Sequence, residues 1–418
     1  MMKIQRTIPP AAAPLKPGDL VRGIGGLVRG NKSRGRIEQE LKDYFGVKHV
    51  FLVSSGKAAL TTILLALKSL SPGRRKVLIP AYTCYSVPSS IVKAGLDVSL
   101  CDMDPARYDY DYRLLPDAVS ADTLCVLSGN LFGVPSDIDR ITGLCREKGI
   151  FVVEDAAQAM GVRSQGRLVG TIGDAGFYSL GRGKNITCGS GGVIVTNSDA
   201  IAAAIDALYC GLVEPNFREN VAELVKAVLL ALFIRPSLYW LPAGLPFLKL
   251  GETLFYRDFP MKRLSGMKAG LLANWRRRLE EYNLARKENA EYYCTNLSLG
   301  PRPGLSAAQA SLRFPIVVAS RGMRDGIVEG LSKLGLGVGR MYPSPVNMIE
   351  EIRNEFQGQE YPSAQRLSER LFTVPLHPLV GTKERRAICE LLNRLANSTE
   401  FMKEQPGDKR EWTIFPWM

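Results

Sequence analysis

The chain has 418 residues, 46% hydrophobic and 23% charged, the proportions of a soluble globular protein with a sizeable core in two or three domains. Its formal net charge of +13 favours anionic partners such as nucleotides, phosphorylated substrates or an anionic membrane face, while the scattering of its basic residues argues against nucleic acid. Two histidines, and eight cysteines without a C-x-x-C pair, argue against a histidine triad and leave a metal site no spacing support.

The opening stretch MMKIQRTIPPAAAPLKPGDL lacks an apolar signal region, so a reduced, cytosolic setting is expected. From His49 to about Thr196 strand and helix patterns alternate. HVFLVSSG reads as a strand and KAALTTILLALKSL as a helix; KVLIP is a strand and YSVPSSIVKAG a helix; DVSLCDMD and TLCVLSGN are short strands. IDRITGLCREKG is then a helix, and IFVVEDAA, DAGFYSL and GGVIVTN are strands. Such alternation predicts an α/β fold with a mostly parallel, helix-covered sheet whose ligand sits at the carboxyl ends of the strands. After the helical SDAIAAAIDALYCG, residues 216–258 are rich in leucine, aromatics and proline; a long helical pattern covers 267–296, and strand and helix signals alternate again over 313–392. The expected division is an N-terminal arm (1–35), a large domain (36–265) carrying an apolar insertion at about 216–258, a smaller C-terminal α/β domain (266–400) and a tail (401–418).

Three strand ends carry residues of chemical interest. VSSGKAAL places Ser54, Ser55 and Gly56 at a strand-to-helix turn, where free amides and the positive helix end suit a phosphate; a plain serine N-cap explains the same residues. FVVEDAAQA ends an apolar strand with Glu154 and Asp155, followed by Gln158. A buried carboxylate there needs a cationic or hydrogen-bonding partner, and a cap or an ion pair is the plain alternative. GFYSLGRGKNITCGSGG sets Lys184 among glycines, with Ser179 five positions before it. The phosphate-loop pattern of nucleotide-binding proteins does not apply, because Tyr178 and Asn185 stand where it requires Gly and Ser or Thr. A glycine-rich loop with a solvated lysine is the plain reading. Together, a phosphate-binding turn, a carboxylate, an amide donor and a lysine suit a carbonyl cofactor with a phosphate and a basic ring nitrogen. The lysine forms a Schiff base, and the carboxylate keeps the ring protonated so that it accepts electrons.

In order along the chain, LKDYFGVKHVFLVSSGKAAL, VLIPAYTCYS, FVVEDAAQAMG, GRLVGTIGDAGFYSL, GKN, GGVIVTN and YPSAQRLSERLFTVPLHP resemble the sugar aminotransferases of the DegT/DnrJ/EryC1/StrS group, over roughly residues 35–395. The resemblance implies pyridoxal 5'-phosphate (PLP) on a fold-type-I scaffold, with a mostly parallel seven-stranded sheet in the large domain. It implies Lys184 as the Schiff-base lysine and proton shuttle, Asp155 against the pyridinium nitrogen and Gln158 against the ring hydroxyl. Ser55, Ser179 and the amides of Gly56 and Lys57 would hold the phosphate. Related dehydratases carry histidine in the place of Lys184. The implied reaction moves an amino group from an amino acid, expected to be glutamate, to a keto sugar on a nucleotide, in a homodimer whose subunits share each site.

The chain departs from the family pattern at several positions. Lys57 stands in place of a threonine, and Cys84 in place of a ring-stacking aromatic, which makes Tyr85 the candidate for stacking. Ser190 replaces an acid, and MKRLS (261–265) replaces Asn-Tyr-Arg-Met-Ser, so Lys57 or Lys262 would supply charge where the partner's asparagine is missing. No histidine accompanies YPSP. Arg163, Arg167, Arg182 and Arg340 are candidate anion contacts. The altered substrate half leaves two alternatives open: a lipid-linked or membrane-proximal acceptor, and a PLP-binding regulator without turnover. In the insertion, Ala227 to Ile234 form eight consecutive apolar residues before Arg235 and Pro236, too short a run to span a bilayer. It either packs on the body or the dimer interface, or, with Tyr239, Trp240 and the tail WTIFPWM, lies on the inner membrane face as a peripheral contact through 220–250.

Overall fold

The computed structural model describes residues 5–248, 250–298 and 311–396. Seven strands, β1 (His49–Val53), β2 (Lys76–Pro80), β3 (Asp97–Cys101), β4 (Thr123–Ser128), β5 (Phe151–Asp155), β6 (Ala175–Ser179) and β7 (Gly192–Thr196), form one sheet in the order β1-β7-β6-β5-β4-β2-β3. All neighbours from β6 to β3 pair in parallel, while β7 is antiparallel to both β6 and β1. The mostly parallel seven-stranded sheet expected from the sequence is therefore present. The exception has a local cause: residues 180–191 form a loop, not a helical crossover, and without a crossover the next strand returns antiparallel. β1 again runs with the parallel strands. Ser54–Gly56, Asp155 and the Lys184 loop thus leave the same edge of the sheet.

Helices α1 (Pro17–Arg29), α2 (Asn31–Phe45), α3 (Gly56–Leu70), α4 (Ser86–Lys93), α5 (Ile138–Glu147), α6 (Asp199–Cys210) and α7 (Phe217–Phe233) accompany this sheet. α1 and the start of α2 lie within residues 1–35. Downstream come α8 (Gly266–Leu271), α9 (Trp275–Asn296), β8 (Arg313–Val317), α10 (Arg321–Lys333), α11 (Pro362–Arg370), β9 (Leu371–Pro375) and α12 (Thr382–Ala396). β8 and β9 pair antiparallel, and Tyr293, Phe314, Leu331, Phe372, Ile388 and Leu392 form a separate core around them. The expected single helix over 267–296 is two. The chain leaves helical geometry at 272–274, so that α8 lies along α1 while Trp275 turns into the core and donates its indole N–H to Glu40 at 2.9 Å. Tertiary packing overrides local propensity here. α9 then serves both cores, through Trp275, Leu279 and Tyr282 in one and Ala290 and Tyr293 in the other.

The insertion folds as α7 followed by short turns. Ala227, Leu224, Leu230 and Ala231 pack on the large core, while Phe217, Val221, Val225, Val228, Leu229 and Leu232 stay exposed. Among the described residues no helix is long and apolar enough to cross a membrane. The tail sequence WTIFPWM lies outside the described residues.

A strap of residues 5–15 ties the parts together. Thr7 N donates to Pro236 O of the insertion (2.8 Å) and Ile8 N to Gly335 O beyond α10 (2.7 Å). Tyr282 Oη donates to Pro14 O at 2.6 Å. His377, buried behind β9, donates from Nε2 to Pro9 O at 2.7 Å and accepts from Leu379 N on Nδ1 at 3.3 Å. Both nitrogens are committed to the neutral ring, and burial holds its pKa down at about 3, against an ordinary 6.5. A depressed pKa means stability that is present above the unfolded value and lost as pH falls through that window. Urea unfolding of wild type and His377→Asn at pH 7.5 and pH 5 should show the wild type losing about 2 kcal/mol more than the variant at the lower pH. Parallel losses in both proteins would refute the neutral, strap-pinning role.

Candidate active site

At the end of β1, Ser55 is the N-cap of α3, its Oγ accepting from Ala58 N at 3.1 Å. The plain reading of Ser55 is thus correct for its side chain, yet it leaves the amides of Gly56 and Lys57 in the first turn, where no intrahelical acceptor exists. Gly56 faces β6 so closely that a Cβ there would stand 3.0 Å from Ser179 Cβ and 3.1 Å from its Oγ. The result is a cradle of amides, a hydroxyl and a positive helix end, which suits a phosphate.

The two acids ending β5 separate by function because successive side chains alternate faces. Glu154 accepts from the amides of Gly170, Ile172 and Gly173 at 2.5–2.8 Å and locks that turn. The plain structural reading applies to Glu154. Asp155 lies on the other side and is buried; its Oδ1 accepts from Ala157 N at 2.9 Å. Burial pushes its pKa up to about 6, against the pull of that amide and of Lys184. Its carbonyl oxygen accepts from Asn130 Nδ2 at 3.1 Å.

The loop from β6 to β7 closes on itself. Leu180 N donates to Gly191 O (2.8 Å) and Thr187 Oγ1 to Leu180 O (2.9 Å). Lys184 N donates to Gly181 O at 3.2 Å, and Lys184 O accepts from the buried guanidinium of Arg286 on α9 at 3.2 Å. Burial holds the Lys184 ammonium below its ordinary pKa; Cys84 and Asp155 oppose this, and Arg313 adds to it. Lys184 and Asp155 thus lie near enough at the sheet edge for each charge to act on the other.

The remaining predicted residues fall into place unevenly. Gln158 is buried, its Oε1 accepting from Phe132 N (3.1 Å) and its Nε2 donating to Tyr342 Oη (2.8 Å); one amide hydrogen is left for a ligand. Tyr85 Oη is hydrogen-bonded to Ser344 Oγ at 2.6 Å, whereas its neighbour Cys84 is the group coupled to Lys184, Lys57 and Tyr342. Lys57 Nζ sits 4.2 Å from the ring centre of Tyr256 and 4.6 Å from that of Phe259, and burial lowers its pKa. Lys262, the other candidate for extra phosphate charge, is paired with Glu219 of α7 at 2.5 Å. Of the suggested anion contacts, Arg167 pairs with Asp139 (2.5 Å) and Arg340 with Asp325 (3.1 Å). Arg163 and Arg167 line a surface cavity beside Tyr44 that includes neither Lys184 nor Asp155. The sequence reading missed Tyr342, Arg313 and Tyr239. The one available signal for Arg313 was a charge opening an apolar strand, LRFPIVVA.

The donor set fits PLP: the Gly56–Ser179 cradle for its phosphate, Asp155 for its ring nitrogen and Lys184 for its carbonyl carbon. A mostly parallel seven-stranded sheet with this set at its carboxyl edge defines the PLP fold-type-I scaffold. The chain belongs to the DegT/DnrJ/EryC1/StrS aminotransferase family, whose model matches residues 24–393. Over 181 residues it is 33% identical to a GDP-perosamine synthase of Caulobacter vibrioides, covering 43% of this chain and 48% of that protein, so that match spans about half the relative's length. It is 25% identical to a UDP-N-acetyl-3-dehydro-alpha-D-glucosamine 3-aminotransferase of Acidithiobacillus ferrooxidans, covering 91% of this chain and 95% of the relative. Among solved structures, Helicobacter pylori PseC, an aminotransferase involved in pseudoaminic acid biosynthesis, superposes with a TM-score of 0.75 at 17% identity over 96% of this chain and 100% of that one. DesI in the presence of its TDP-sugar product gives 0.74 at 20% identity over 96% of each chain. These likenesses show the shared fold.

The Asp155 geometry has a testable consequence in cofactor-free protein. A carboxyl group raised in the folded state gives stability that is complete below its unfolded value, here 3.8, and lost as pH rises through about 6. Asp155→Asn removes that loss. Denaturant unfolding should show the cofactor-free variant gaining on wild type between pH 4 and pH 8, by on the order of 1–3 kcal/mol. A gap that stays constant with pH would contradict a buried, ionisable Asp155.

Proposed function

We propose that this protein is a PLP-dependent aminotransferase that takes an amino group from an amino acid, with glutamate as the expected donor, and delivers it to a keto sugar carried on a nucleotide. The observation that carries this reading is that Asp155 at the end of β5, the Lys184 loop and the Gly56–Ser179 cradle lie together at the carboxyl edge of the sheet. Similarity to nucleotide-sugar aminotransferases supports the acceptor class, and the positive net charge suits a diphosphate-bearing substrate.

The bound cofactor supplies an electron sink for the pair of electrons released when the donor's α-proton leaves. The chain's residues do the rest. The Gly56 and Lys57 amides and Ser179 would hold the phosphate, and the buried Asp155 carboxylate would keep the ring nitrogen protonated through its opposite charge. Lys184 carries the cofactor, and its Nζ moves the proton. Its lowered pKa favours the neutral amine that accepts the donor's α-proton. In the second half-reaction the same nitrogen returns a proton to the sugar carbon. Borohydride reduction should fix the cofactor's mass on the tryptic peptide containing Lys184. Lys184→Ala should retain PLP binding and lose transamination by at least about 1000-fold. Label on another lysine, or an active variant, would remove Lys184 from this role. A cofactor-loaded wild type that turns over no donor would favour the regulatory alternative.

The exposed stripe on α7, together with exposed Val21, Ile24 and Val28 on the adjoining α1, supports a second copy of the chain as its cover. An apolar surface of this extent is seldom left in water. The same stripe favours a second reading, an interfacial contact that would bring the enzyme to lipid-linked acceptors. Replacing Val221, Val225 and Leu229 with aspartate should convert a dimer to monomer in light scattering if the first reading holds. Loss of flotation with anionic liposomes at low salt, with the dimer intact, is the outcome expected of the second.

A further inference from the structure

Beyond the ends of β5 and β6 the chain runs on in two segments: residues 156–161, which follow Asp155, and residues 180–191, which carry Lys184. The two strands are paired as far as Phe177 and Asp155, and Ala156 N adds one more bond, to Phe177 O at 3.0 Å. Past that point, among the described residues, no backbone hydrogen bond links residues 157–161 to residues 181–187. The sheet's own hydrogen bonds therefore do not set how far apart the two segments stand.

One side chain spans them. Asn283 of α9 donates from Nδ2 to Met160 O at 3.0 Å. Its Oδ1 accepts from Asn185 Nδ2 at 3.2 Å and from Arg286 Nη1 at 3.0 Å. Arg286, about one turn further along the helix, donates from Nη2 to Lys184 O at 3.2 Å. Towards the start of α9, Arg278 Nη1 donates to Thr187 O at 3.4 Å. Asn185, Arg278 and Arg286 are at most 1% exposed, so water does not replace a partner lost there, and the group left behind is unsatisfied. The turn after β5 is shaped to admit the contact. Gly161 has φ +84°, and a Cβ there would stand 2.8 Å from Asn283 Nδ2.

We propose that Asn283 is a positioning residue for the reaction: by holding Met160 and Asn185 from one amide group, it fixes the spacing between the segment of the acid and the loop of the lysine. This rests on the transamination reading above, in which Asp155 meets the ring nitrogen and Lys184 the carbonyl carbon of the same cofactor. A rigid ring cannot absorb an error in that spacing, and a displacement of about 1 Å can cost about 100-fold in rate. An amide suits the task because it donates on one side and accepts on the other. A carboxylate of the same shape keeps the bonds from Asn185 and Arg286 but has no hydrogen for Met160 O.

That difference supplies the test, since Asn283→Asp cuts one tie and Asn283→Leu cuts both. In cofactor-free protein, amide hydrogen exchange is followed on peptides covering 156–162 and 181–188. Asn283→Asp should speed exchange at least about 10-fold in the first peptide and leave the second unchanged, whereas Asn283→Leu should speed both. In PLP-loaded protein, both variants should lose about 10- to 100-fold in the saturated rate of the L-glutamate half-reaction per bound cofactor, with KM little changed. A merely structural residue would instead quicken exchange throughout α9 and both cores and leave the rate per bound cofactor intact. That pattern, or unchanged exchange in both peptides, overturns the proposal. Should Asn283→Leu fail to fold, Asn283→Asp is judged alone: faster exchange confined to 156–162 with a lowered rate supports the role, and any other pattern overturns it. If wild-type protein turns over no donor, the transamination reading falls, while the exchange arm still decides whether Asn283 sets the spacing of the two segments.

Discussion

The constraint on which the site turns is the burial of the Asp155 carboxylate at the end of β5. An acid in this position resists ionisation, and Ala157 N offers one hydrogen bond towards the charged form. The group therefore has electrostatic room for a cation presented by a ligand. The neighbouring acid shows what a purely structural solution looks like. Glu154 meets three amides of one turn, and that turn leads into β6, which ends at Ser179. One acid thus fixes the strand that ends at Ser179, and the next lies on the opposite side, where the proposed cofactor would sit. The alternation of a β-strand divides the two tasks.

The lysine depends on a topological exception. Residues 180–191 form a closed loop over the sheet edge in place of a crossover helix, and β7 therefore returns antiparallel. The loop is gripped from outside as well as within. Arg286, on the helix shared by both cores, holds the Lys184 carbonyl and also reaches Ala12 of the strap and Asn283 of its own helix. The position of Lys184 is therefore coupled to the packing of α9 and to the N-terminal strap, although neither supplies a reacting group.

Much of this was legible in the sequence, for identifiable reasons. The parallel strands read as apolar runs because both faces are covered, and Asp155 and Ser179 sit at strand ends, with Lys184 in the loop that follows, where the architecture places ligands. Features that depend on distant partners were not legible. No local pattern separates Glu154 from Asp155, since the difference lies in residues 170–173. The pairing of Lys262 with Glu219 needed α7 to fold back onto the segment after the insertion. The break at 272–274 has no proline or glycine to announce it and follows from the burial of Trp275. Tyr342 comes from the C-terminal half, so its hydrogen bond to Gln158 is a matter of how that part packs on the sheet.

The insertion is the feature whose meaning changes most once its contacts are known. Read as a sequence it is an apolar addition that packs on the body or the dimer interface, or lies on a membrane face. In the fold its acids complete charge balances near the site: Glu219 pairs with Lys262 (2.5 Å), and Glu223 with Lys268 (3.2 Å), which also donates to Ser190 Oγ at 2.7 Å. Ser190 stands where the family pattern places an acid, so α7 supplies from a distance the charge that the loop lacks. Beyond α7, Tyr239 reaches the electrostatic surroundings of Arg313, and Tyr256 and Phe259 enclose the Lys57 ammonium. Removing residues 220–250 would take away Glu223 and Tyr239 together with the apolar stripe, and a loss of membrane or subunit contact would then be inseparable from damage to the site. The outer face of α7 is the separable part. Its exposed valines and leucines project away from the residues that pack on the core, so their substitution changes what the surface meets while the inner acids keep their partners.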